Sequence, residues 1–80
     1  MNKTDLYYFQ EIEQEVQRAR KLHPDFPTFH HAIAVIREEY TELEREVFTD
    51  GPKESIEKEA IQLSATILRL LTENPSRTTK

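Results

Sequence analysis

Cysteine and tryptophan are absent from the 80 residues, and there is a single glycine, Gly51. Without cysteine, neither a disulfide nor a thiolate metal site can support the core. One glycine rules out a Gly-rich loop, and with it the Walker-type and Rossmann ways of holding phosphate. It also leaves too little turn material for many short strands. No apolar run approaches the ~20 residues of a membrane span, and the start, Met-Asn-Lys-Thr-Asp, has no signal-like apolar stretch. The expectation is a cytoplasmic protein with no membrane partner. Positive charge is scarce too. Eleven Lys and Arg stand against fifteen Asp and Glu, a net charge of -4, which disfavours a nucleic-acid partner.

What remains is helical material. About a third of the residues are charged, as amphipathic helices with solvated outer faces require. Helix one is expected from Thr4, as N-cap, to Leu22, with Leu6, Phe9, Ile12, Val16 and Ala19 forming one apolar stripe. Tyr7, Tyr8 and Phe9 add an aromatic cluster, read as core plus an oligomer contact. The segment His23-Pro24-Asp25-Phe26-Pro27 breaks that helix, because each proline disfavours helical geometry in the residue before it.

Helix two is expected from Thr28, as N-cap, to Phe48. The connection Thr49-Asp50-Gly51-Pro52 is short enough to return the next helix antiparallel, with Pro52 in its first turn. Helix three then reaches Glu73. One of its stripes is Ile56, Ala60, Leu63, Ile67 and Leu70/Leu71, and a second is Ile61, Ala65 and Leu68. A helix apolar over half its circumference is covered on more than one side. So short a chain has a small core, so the second cover is expected from another copy. The expected fold is all-α: a three-helix chain with an antiparallel helical hairpin, completed by dimerisation into a helical bundle. Residues 1–73 would form one domain and residues 74–80 a disordered tail.

One side chain is out of place. At ~100° per residue, Glu39 falls inside the apolar arc of helix two, between Val35 and Leu43. Glu42 lies at the arc's edge, and Glu38 points to the polar side. A carboxylate on a core-facing surface is costly without a hydrogen bond, an ionic partner or a metal. With the connection centred between Asp50 and Gly51, Glu42 is level with Glu59, and Glu39 with Gln62. Three Glu and one Gln therefore converge between two helices. Crowded carboxylates raise one another's pKa unless a cation neutralises them, and such oxygens suit Mg²⁺ or Mn²⁺. The competing reading is a solvated acidic face.

At these residues the chain resembles the MazG-like, all-α nucleoside triphosphate pyrophosphohydrolases, in particular their short, phage-type members. That family's signature is E-E-x-x-E on one helix and E-x-x-D on the next. Here the matching runs are Glu38-Glu39-Tyr40-Thr41-Glu42 and Glu59-Ala60-Ile61-Gln62. The similarity spans residues 28–71. It implies a dimer or tetramer and Mg²⁺-dependent (or Mn²⁺-dependent) cleavage of a (d)NTP to (d)NMP and pyrophosphate. By position Glu39, Glu42, Glu59 and Gln62 would hold the metal, and Glu38 would bind it or orient the attacking water. Gln62 departs from the family's Asp, offering one neutral oxygen and no charge. The alternative reading is therefore a catalytically weakened homologue that serves as a helical oligomerisation or partner-binding module.

Arg37, Lys58 and Arg69 are candidate phosphate partners, with surface salt bridges as the alternative use. His30 and His31 point about 100° apart and cannot easily serve one site. Phe29 and Tyr40 could stack a base, or pack in the core.

Overall fold

The computed structural model describes residues 1–77 and consists of three helices: α1 (Lys3–Leu22), α2 (Phe29–Phe48) and α3 (Lys53–Thr72). The described residues include no strand, and no helix among them is long and apolar enough to cross a membrane. Helix α3 is the middle element and packs against both α1 and α2.

The caps explain where each helix begins and ends. Asn2, rather than Thr4, caps α1, its Oδ1 accepting from the Asp5 N–H at 2.8 Å. Asparagine caps at least as well as threonine, so the cap lies two residues earlier than expected. Thr28 caps α2 as expected, its Oγ1 accepting from the His31 N–H at 3.0 Å. Pro52 is the cap of α3 rather than a first-turn residue, and its carbonyl accepts from the N–H groups of Ser55 and Ile56.

Helix α2 ends in a Schellman turn, with the Gly51 N–H on the Glu46 carbonyl at 2.8 Å and the Asp50 N–H on that of Val47 at 3.3 Å. The left-handed residue is Asp50, at φ 55°, whereas Gly51 has no positive φ. Gly51 matters for space: a Cβ there would stand 3.0 Å from the Glu46 carbonyl oxygen.

The core is small. Val16, Phe26, Ala32 and Ala65 form its buried apolar centre, and among the described residues no large side chain is fully buried. The α1 stripe is shorter than the sequence suggests, because Leu6 and Phe9 are exposed. Tyr8 turns toward α3 instead, its hydroxyl donating to Glu57 Oε1 at 3.2 Å. Tyr7 stands edge-on to Tyr8 but is itself exposed, so it adds nothing to the core.

A polar latch holds the α1–α2 connection on the end of α3. Arg69 is buried, with Nε donating to Glu73 Oε2 at 2.6 Å and Nη2 to the Pro24 carbonyl at 3.0 Å. Its guanidinium carbon lies 4.3 Å from the centroid of the Phe26 ring. Glu73 Oε1 accepts from the Phe26 N–H at 2.9 Å. Residues 74–77 do not behave as the free tail expected of this segment. Pro75 is buried, and Ser76 pairs with the connection, its N–H on the Pro27 carbonyl at 3.0 Å and its carbonyl accepting from Phe29 at 2.8 Å. The rest of the expected tail, residues 78–80, lies outside the described residues.

Candidate metal centre

Helices α2 and α3 bring three carboxylates together. Glu39 and Glu59 are half-buried and Glu42 is exposed, and one oxygen from each lies within 4.8 Å of the others. The closeness follows from the short 49–52 connection, which sets Glu42 level with Glu59, and from the helical step between Glu39 and Glu42.

Glu39 Oε2 and Glu59 Oε2 are buried and reach no hydrogen-bond donor among the described residues. An acceptor without a donor is costly inside a protein, and more so when ionised. Burial pushes the Glu39 carboxyl above its ordinary range, and the charges of Glu42, Glu59, Glu15 and Glu38 push it further. Glu59 is raised too, by burial first and then by the adjoining Glu42, with Lys58 offsetting part of the effect. These oxygens lack a positive partner, and a hard divalent cation supplies one. The donor set therefore fits Mg²⁺ or Mn²⁺.

The other residues expected in the site divide clearly. Gln62 is half-buried and lines a cavity of about 710 Å³ together with Glu39 and Glu38. Glu38 itself is exposed, as its place on the helical wheel requires. Arg37 is exposed beside Glu38 and Glu42 in a shallow groove, and Lys58 is exposed on the α1-facing side of α3. Arg69 is a correction. Its guanidinium is committed to Glu73, Pro24 and Phe26, so it anchors the connection rather than standing free for phosphate. His31 lines the cavity beside Phe26, with ring centroids 5.9 Å apart, whereas His30 is exposed outside it.

Two features escaped the sequence reading. Glu15 of α1 is half-buried, lines the same cavity and acts on Glu39 through its charge, while Arg18 Nε donates to it at 3.0 Å. Its signal was available, since Glu15 sits at helical spacing from both Ile12 and Ala19. The second is the cavity itself. Its walls combine Phe26, Val35 and Ala65 with the polar ends of Arg18 and His31, and the latched connection closes one end. No cue of periodicity marks a space of that kind, which depends on how the connection crosses α3.

Comparison with protein-family models, curated proteins and solved structures finds no match to this chain.

Proposed function

We propose that the protein is a Mg²⁺- or Mn²⁺-dependent nucleoside triphosphate pyrophosphohydrolase of the MazG-like kind. The observation that carries this reading is the pair of buried, donorless oxygens, Glu39 Oε2 and Glu59 Oε2, in a three-carboxylate cluster beside a 710 Å³ cavity. Glu39, Glu42 and Glu59 would hold the cation, with Gln62 contributing its neutral oxygen. When bound, the cation offsets phosphate charge and lowers the pKa of water.

The chain's own groups divide the remaining work. Glu38, exposed next to the cluster, orients the attacking water. The cavity wall of Phe26, Val35 and Ala65 takes the apolar face of a base, and Arg18, exposed on that wall and paired with Glu15, would supply a cation for a phosphate. Arg37 and Lys58 flank the cluster from outside. In this reading α2 and α3 form an antiparallel hairpin, supported by the Thr28–Ser76 pairing at one end and the four-residue connection at the other. The working unit is a homodimer or homotetramer in the cytoplasm.

A second reading, favoured by Gln62 in place of an acid, keeps the helical assembly without the chemistry. Incubation with Mg²⁺ or Mn²⁺ and a panel of nucleoside triphosphates separates the two. Monophosphate plus pyrophosphate, lost in Glu39→Ala, is the result expected of the enzyme. No turnover, together with no heat of metal binding, would leave the assembly module.

A further inference from the structure

The α2–α3 pair has a second side. On α2, Ile33, Tyr40 and Val47 follow one another at seven-residue steps and are 50%, 53% and 46% exposed. Ile36 and Leu43 fall between them and are half-buried. This three-four alternation is the spacing with which one helix seats against another. On α3, Ile67 and Leu71 are also open, at 42% and 70%. Tyr40 is turned roughly 160° from Glu42 and roughly 100° from Glu39 about the helix axis, so the open residues of the strip, Ile33, Tyr40 and Val47, point away from the carboxylates, while half-buried Leu43 lies between the two. Helix α1 does not cover the strip, because it packs on α3 and not on α2.

The surface area says what such a side needs. The chain exposes 6095 Å². A folded monomer of 9.5 kDa exposes roughly 5,000 Å². The excess, about 1,000 Å², is close to the ~800 Å² that each partner loses in a standard protein interface. The small core agrees with an element that is missing its cover.

We propose that this side docks a second copy of the chain, with α2 and α3 of one protomer lying on α2 and α3 of its partner about a two-fold axis. A two-fold contact is self-complementary, so the strip that is open on one protomer closes the same strip on the other. Ile33, Tyr40, Val47, Ile67 and Leu71 become its centre. The carboxylates remain outside the contact, and each protomer keeps its own set. The inference rests on the self-association proposed above and is independent of the phosphate chemistry.

Light scattering on the full chain and site-specific cross-linking test it together. The wild-type protein is expected at twice the chain mass or a higher multiple. Because the chain has no cysteine, an introduced thiol is its only one. A short bis-maleimide should join protomers of Tyr40→Cys or Val47→Cys. It should not join those of Tyr7→Cys, an equally open position on α1. Tyr40→Glu with Ile33→Glu should reduce the particle to one chain mass. Cross-linking confined to Tyr7→Cys, or an assembly indifferent to both glutamates, would overturn the assignment of this side while leaving self-association intact. A wild-type monomer at about 100 µM would overturn self-association itself, since an interface of this size gives micromolar or tighter binding.

Discussion

Glu39 and Glu59 meet from different helices, and each buries an oxygen, Oε2, that no hydrogen-bond donor among the described residues reaches. In a protein with so few buried side chains this is an expensive arrangement. When ionised, the two carboxylates and the exposed Glu42 repel one another, and Glu59 gains a hydrogen bond from Glu42 only by keeping a proton between them. A bound cation, as proposed above, would reverse the balance and turn three repelling groups into one ligand set. On the proposed reading the cluster lowers stability until a cation fills it.

The pH dependence of stability follows from the directions of these shifts. Glu39 and Glu59 titrate above the ordinary carboxylate range in the folded chain. Their contribution is full below the unfolded value, about 4.3, and is lost as pH rises through the folded values. Glu73 runs the other way. Burial raises it, but Arg69, the Phe26 N–H and Arg20 together hold it below its ordinary range. Its contribution is present above the unfolded value and is lost as pH falls through the folded one. Thermal melts of metal-free protein should therefore show Tm falling from mildly acidic pH toward pH 8. Glu39→Gln should flatten that limb and raise Tm at pH 8. Added Mn²⁺ should raise the wild-type Tm and leave the variant nearly unmoved.

Arg69 is the residue whose loss should cost most. Its side chain and that of Glu73 are 5% and 3% exposed, so removing the guanidinium leaves a buried carboxylate with the Phe26 N–H and the more distant Arg20, at 3.6 Å. Arg69→Met should lower stability by about 3–5 kcal/mol, read from the urea midpoint. The double variant Arg69→Met, Glu73→Gln should recover part of the loss, because no unpaired charge then remains. The same latch shapes the cavity, so ligand binding should weaken along with stability.

The α2–α3 connection predicts opposite signs for two adjacent residues. Asp50 occupies left-handed backbone, which costs a side chain roughly 1 kcal/mol and glycine almost nothing. Asp50→Gly should therefore stabilise by up to about 1 kcal/mol. Gly51→Ala should destabilise, since its Cβ would meet backbone at Glu46 at 3.0 Å. Denaturant midpoints of the two variants, moving in opposite directions from wild type, are the expected outcome.

The three helices and the acidic trio were legible in the sequence for a common reason. Both depend on local periodicity and on one short connection, which fix which residues share a face and a level. Thr28 and the match of Glu42 with Glu59 are examples. What was hidden depends on chain segments far apart in number. Arg69 looked like a surface cation because its partners, Pro24 and Phe26, lie on another connection. Ser76 looked like tail because its pairing with Pro27 leaves no trace in composition. Leu6 and Phe9 looked like core because periodicity gives a stripe but not how far a neighbour extends along it. Helix α3 receives the Tyr8 hydroxyl there, and Leu6 and Phe9 stay open.

Gln62 is the position at which the proposed metal centre can be tested most directly. It shares the cavity wall with Glu39 and is half-buried, so a charge placed there acts on the cluster through little water. Gln62→Asp adds a fourth negative charge and a second ligating oxygen. Without metal, that charge should lower Tm at neutral pH, for the reason that Glu39→Gln raises it. With metal, it should tighten Mn²⁺ binding by about 10-fold or more, a size typical of changes close around a metal. Titration calorimetry measures the second effect and melting the first, and the two must appear together. Tighter binding accompanied by faster triphosphate cleavage would make Gln62 the reason for weak activity in the natural chain. Tighter binding without any cleavage would leave a metal-stabilised helical assembly, and an affinity unmoved by the new charge would put position 62 outside the ligand set.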